Sequence, residues 1–175
     1  MKIVIWGATG LTGREVLTQA LEAGHEVTAI ARNPEHIEIE HVKLSVVRGD
    51  IFNSQSVEDN VAGGEVVISA VGSGASFTQA RKPTTLYSKG FANIVAAMRK
   101  HNIRRFIALL SVGTVPDPNE AFIHKKIIRP LIKGTYDDMR RAESVLADCD
   151  DLDWIGIRPL RLMNTPRTGK YRTAI

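Results

Sequence analysis

Short apolar runs alternate along the chain with stretches whose apolar residues recur every three or four positions. Lys2–Trp6, Glu26–Ala31, Lys43–Arg48, Glu65–Val71, Arg105–Leu110 and Asp153–Arg158 are apolar-rich runs too short for helices, and they predict six strands. Thr12–Ala23 carries Val16, Leu17, Ala20 and Leu21 at helical spacing and meets Gly24, a natural helix stop. Ser54–Val61 predicts a short helix. Thr84–Lys100 predicts a long one with Ile94, Val95 and Met98 facing inward. Residues 118–148 predict one or two helices, separated near Lys133-Gly134. Strand and helix in regular alternation predict a parallel sheet covered on both faces, a three-layer α/β/α arrangement. Right-handed crossovers then give a Rossmann-type doubly wound sheet with strand order 3-2-1-4-5-6. No repeat or low-complexity linker interrupts the pattern, so residues 1–175 are expected to form one domain.

A glycine-rich turn stands where such a fold binds ligands. Gly7-Ala8-Thr9-Gly10-Leu11-Thr12-Gly13 follows the first strand directly and opens the first helix. Glycine permits the tight turn and lets main-chain N–H groups approach a diphosphate. The helix start adds unsatisfied donors and the positive end of its dipole. Gly7, Thr9, Gly10, Leu11, Thr12 and Gly13 are therefore expected to contact a dinucleotide. The second strand runs into Arg32 where a cofactor lacking the 2′-phosphate usually meets an acid. A guanidinium there pairs with a 2′-phosphate, so NADP(H) is the expected cofactor.

Other strand exits carry further candidates. Asp50 and Ile51, after the third strand, are placed at the adenine edge, with a turn-capping role for Asp50 as the alternative. Ala70, Val71 and Gly72, continued by Ser73-Gly74, let the middle of the dinucleotide cross the sheet edge. Ser111, at the end of the fifth strand, can hydrogen-bond the nicotinamide amide or a substrate carbonyl; local backbone bonding is the alternative. Pro159 and Leu160, after the sixth strand, complete the expected cofactor contacts. Tyr136 precedes Arg140 by four residues, the spacing of the Tyr-x-x-x-Lys acid pair, so both share one helix face. Arginine does not relay protons at ordinary pH, and a surface Tyr–Arg pair is the competing reading.

Composition narrows the classes. Hydrophobic residues make up 43% and charged residues 24%, an ordinary globular balance. Net charge is +4, and residues 91–175 hold 15 Lys/Arg against 9 Asp/Glu. That excess is too dilute and too free of aromatic residues to argue for nucleic acid. No apolar run reaches the ~18 residues of a membrane span. The opening strand reads as fold rather than leader, and a cytoplasmic location is expected. The single cysteine, Cys149, offers no disulfide framework, and the five histidines show no metal-ligand spacing, so no metal is expected.

The glycine motif, together with Pro83-Thr84-Thr85-Leu86-Tyr87-Ser88-Lys89-Gly90 and Asn93–Met98, resembles the atypical short-chain dehydrogenases/reductases. Within that NAD(P)H-binding family the likeness is to the biliverdin-IXβ reductase and NADPH flavin reductase branch, over nearly the whole chain. The resemblance implies NADPH as hydride donor and a small, flat conjugated electron acceptor: a flavin, a quinone or a linear tetrapyrrole. It implies that Ser111 lies beside the nicotinamide. The family's reductase has a histidine after the proline that matches Pro159. Leu160 stands here instead, which leaves flavin or quinone reduction open. Arg161 and Lys170 are then candidates to attract an anionic tail. Two other classes compete: a non-catalytic NADP-sensing regulator, and an enzyme acting on a sugar nucleotide.

Overall fold

A computed structural model of the chain describes residues 1–72, 82–115, 122, 124–159, 162 and 169. Six parallel strands form one sheet: β1 (Lys2–Trp6), β2 (Glu26–Ala31), β3 (Leu44–Arg48), β4 (Val66–Ser69), β5 (Arg105–Leu109) and β6 (Asp153–Ile157). Their spatial order is β3-β2-β1-β4-β5-β6, as the alternation predicted. Every strand carboxyl end therefore lies along one edge of the sheet.

Among the described residues, four helices of eight or more residues cover it: α1 (Leu11–Glu22), α2 (Ser54–Val61), α3 (Leu86–Lys100) and α4 (Lys133–Ala147). Their coverage is unequal. Residues of α2, α3 and α4 join Val4, Trp6, Ile30, Val67 and Phe106 in the larger core. Leu17, Ala20 and Leu21 of α1 pack with Ile3, Ile5, Val27 and Ala29 on the opposite face. Strands buried between two such layers must be apolar on both sides, which is why β1 reads as a run rather than an alternation. Phe91 of α3 packs edge-on against Phe106 of β5, ring centroids 5.2 Å apart.

Helix ends show how local chemistry sets the boundaries. Gly24, at φ 82, turns the chain out of α1 while its N–H bonds Leu21 and that of His25 bonds Ala20. Asn53 caps α2, its side chain accepting from the Ser56 N–H at 3.1 Å. The start of α3 is closed from a distance. Asp138, fully buried on α4, accepts from the Tyr87 N–H (2.8 Å) and the Ser88 hydroxyl (2.5 Å). Arg141 donates to the same carboxylate at 3.1 Å and to the Thr84 carbonyl at 2.8 Å. A buried charge held by a helix start, a hydroxyl and a guanidinium locks α3 to α4.

Several boundaries differ from expectation by one or two residues, and three of the differences bear on the site or its supports. β4 ends at Ser69 rather than Val71, because Ala70 and Val71 leave the sheet beside the glycine turn. The 118–148 helical region breaks at Ile132, where a wide turn (His124–Ile128) and a short helix (Arg129–Leu131) give way to α4. β3 begins one residue late, at Leu44. Among the described residues no helix is long and apolar enough to cross a membrane, and no group of acids, histidines and cysteine could hold a metal.

Cys149 is buried, and burial pushes its thiol above the ordinary range despite the nearby Arg99. It should react with Ellman's reagent far more slowly in the native protein than in urea. Removing the α3–α4 lock has a larger expected effect. Asp138→Ala strands two buried donors and should lower unfolding free energy by about 3 kcal/mol in urea titration, with Asp138→Asn milder.

Candidate dinucleotide site at the carboxyl edge of the sheet

The glycine turn is built by backbone packing on backbone. Gly7 sits at φ 85, a conformation that L side chains rarely adopt. A Cβ there would fall 2.6 Å from the Ala70 carbonyl oxygen and 2.7 Å from the Val71 nitrogen. The first turn therefore nests directly against the exit of β4. At Gly13 a Cβ would fall 2.1 Å from the Gly7 carbonyl oxygen, so α1 lies tight on the turn that launches it. Gly10 differs. Its φ is −73, and a Cβ there would meet nothing closer than the Gly7 carbonyl at 3.4 Å. Gly72 likewise faces open space. Among the described residues, protein packing does not require glycine at either place.

The start of α1 is arranged for an anion. Its N-cap is Gly10, with no side-chain cap and no acid in the first turn. Thr9 and Thr12 flank it, and Leu11 projects outward at 74% exposure. Open main-chain donors at the positive end of a helix dipole suit a diphosphate.

Toward β2 and β3 the edge is basic. Arg32 is exposed and forms no hydrogen bond or ion pair among the described residues. Arg14, which sequence reasoning passed over, donates to the His36 carbonyl at 3.0 Å and ties α1 to the loop that follows Arg32. Its place right after the third glycine was the available signal. Asp50 acts as a turn cap, one carboxylate oxygen accepting from the Phe52 N–H at 3.0 Å; the other oxygen remains open to a ligand. Ile51 turns its side chain inward onto Gly90, and its carbonyl accepts from Asn93 at 2.8 Å. Its side chain and its carbonyl are therefore both engaged within the protein.

At the far end, Ser111 caps a short turn, its hydroxyl oxygen accepting from the Gly113 N–H at 3.3 Å. The local-bonding reading is thus correct, yet the serine proton stays free to donate. Val112 donates to the Pro159 carbonyl at 3.4 Å, which brings the β5 and β6 exits together. Leu160, Ser73, Gly74, Arg161 and Lys170 lie outside the described residues.

Tyr136 is not a surface residue. It is 7% exposed, and its ring lies so close to Gly113 that a Cβ there would sit 2.3 Å from the phenol oxygen. The tyrosine therefore reaches the β5 exit, two residues past Ser111. Arg140 donates to Asp137 and, at 3.4 Å, to the Thr114 carbonyl. Lys133 also donates to Asp137, and these cations hold its carboxyl below the usual range, the Lys133 bond contributing most. Lys133, Tyr136 and Arg140 line one cavity of about 270 Å³ with Arg129 and Pro130. Lys133 stands three residues before Tyr136, a helical neighbour that the search for a later lysine missed.

The pattern of an NAD(P)H-binding family matches residues 7–174. The chain belongs to that NAD(P)H-binding family. It is 29% identical over 121 residues to a 3-beta-hydroxysteroid dehydrogenase of Mycolicibacterium neoaurum, covering 65% of this chain and 33% of that protein. It is 29% identical over 150 residues to pinoresinol reductase 2 of Arabidopsis thaliana, covering 76% and 45%. The NAD(P)H-binding chain thus spans less than half the length of these two relatives. A wide-type short-chain dehydrogenase/reductase from Veillonella parvula, solved in complex with NADP, superposes with a TM-score of 0.73. At 24% identity over 98% of this chain and 74% of that one, the likeness is one of fold.

The glycines of this family member should separate by role. Gly13→Ala forces backbone apart and should lower unfolding free energy by about 2 kcal/mol or more. Gly10→Ala should leave the unfolding midpoint within about 2 °C and still weaken NAD(P)H binding severalfold in calorimetry.

Proposed function

We propose that the chain binds NADPH along its strand exits and reduces a planar conjugated acceptor, a flavin, quinone or tetrapyrrole. The observation that carries this reading is the pair of glycines, Gly10 and Gly72, that no neighbouring atom among the described residues requires, beside an uncapped helix start. That cradle fits a diphosphate, and family membership supports the same ligand. Gly7, Thr9, Gly10, Leu11, Thr12 and Gly13 hold it through main-chain groups. Ala70, Val71 and Gly72 let it cross the sheet edge. Arg32 takes the 2′-phosphate, and Asp50 with the Ile51 N–H takes the adenine. Pro159 and Leu160 close the nicotinamide end. Residues 1–175 act in this reading as one binding domain.

When bound, NADPH supplies a hydride, and the protein's task is position. Ser111 donates its hydroxyl proton in a hydrogen bond to the carboxamide or to the acceptor. Tyr136 presents a hydroxyl at the same strand exit and delivers the proton that balances the hydride. Water reaches it through the open cavity and restores the phenol. Arg140 orients the tyrosine's helix face through Asp137 and the Thr114 carbonyl.

Two measurements test the reading. NADPH absorbance followed with FMN, riboflavin, quinones and biliverdin should show turnover with one class, and no oxidation above background with any would refute reductase activity. Arg32→Ala should weaken NADPH binding about tenfold, one charge-assisted contact, and leave NADH binding unchanged. Equal affinity of the native protein for the two coenzymes would remove the assignment to Arg32.

A further inference from the structure

The link between β2 and β3 is built differently from the others. Each other pair of successive strands is joined through one of the helices α1 to α4. Residues 32–43 contain no α-helix, only a three-residue 3-10 turn, Pro34–His36, with no buried residue. Such a turn has few main-chain bonds of its own and takes its position from neighbouring elements. Farther along, Ile37 and Ile39 seat the link on the small core beneath α1. Among the described residues, one side-chain hydrogen bond reaches the turn from another element: Arg14 of α1 donates to the His36 carbonyl at 3.0 Å. The Arg48–Glu35 pair is looser, 3.8 Å between well-exposed side chains, and holds little. Arg14 stands on a fixed base. Its N–H bonds the Gly10 carbonyl at 2.9 Å in the first turn of α1. Its neighbour Gly13 lies against the Gly7 carbonyl with no room for a Cβ.

We propose that Arg14 is a positioning residue for coenzyme choice. By holding the His36 carbonyl, it sets the turn that follows Arg32 at a fixed distance from the diphosphate cradle. Arg32 is exposed and has no partner of its own among the described residues, so the place of its guanidinium follows from its backbone. Arg14 thus acts through Arg32 rather than on the phosphate. The start of α1 serves both ends of the adenosine: its main-chain donors face the diphosphate, and its one arginine in the first turn steadies the segment that meets the 2′-phosphate. A planar guanidinium suits that task, because its donors are held in a fixed fork. This inference rests on the NADPH reading above and adds to it the tie that sets the spacing of its two phosphate sites.

A double-mutant cycle read by binding tests it. The native protein, Arg14→Ala, Arg32→Ala and the double variant are each titrated with NADP⁺ and with NAD⁺ in a calorimeter. The native protein should bind NADP⁺ about tenfold tighter than NAD⁺, the effect of one charge-assisted contact. Arg14→Ala should lose most of that margin and keep its NAD⁺ affinity, which shows that the variant is folded and its cradle intact. The double variant carries the decision. If Arg14 works through Arg32, its loss should change NADP⁺ affinity by no more than about twofold once Arg32 is already alanine. A margin that survives Arg14→Ala, a loss shared equally by the two coenzymes, or losses that multiply in the double variant would overturn the positioning role and leave the NADPH reading standing. Equal binding of both coenzymes by the native protein would remove the role of Arg32 and this inference with it. Binding of neither would remove the coenzyme reading as well.

Discussion

Everything at the carboxyl edge depends on the approach of backbone to backbone where β1 turns into α1. The space at Gly13 is closed by the Gly7 carbonyl, and the space at Gly7 is closed by the Ala70–Val71 peptide. No side chain fits in either contact. Because the contact is made of main chain, it fixes α1, β1 and the β4 exit as one rigid body and leaves the first N–H groups of α1 pointing outward. Loss of either glycine would move the helix start away from β4. The cradle would then lose its geometry even if the sheet survived.

The fold was legible in the sequence because parallel strands buried on both faces and helices of period 3.6 leave distinct patterns. All six strands appear within two residues of the expected bounds, and α2 within none. The misses are places where distant residues overrule local pattern. Glu65–Val71 reads as one apolar run, yet the strand ends at Ser69, where the backbone of Ala70 and Val71 packs against Gly7, far upstream. Tyr136 and Arg140 have the spacing of a surface pair. What buries the tyrosine is Gly113 on another element, and a missing Cβ leaves no mark on the helix it receives. The split of the large core, with three helices on one face and α1 on the other, likewise follows from crossover geometry rather than from any one helix's pattern.

The candidate site was legible in part for a related reason. Residues that act through main chain, such as the glycine turn, are dictated by local backbone needs and can be read directly. Residues that act through a side chain placed by tertiary packing cannot. Ile51 has the right position, but its side chain belongs to the core against Gly90. Tyr136 meets Gly113 at the β5 exit only once α4 is docked. Asp138 reads as one of two adjacent acids, and only the docked structure shows it capping a helix 51 residues away.

That last carboxylate lies two positions beyond Tyr136 on the same helix. Sliding α4 along its axis, or turning it, would pull Asp138 out of the α3 start and expose unpaired donors in the core. The depth and bearing of the phenol are therefore set when the two helices dock, and the crevice at the β5 exit keeps one wall that cannot shift without unseating the core.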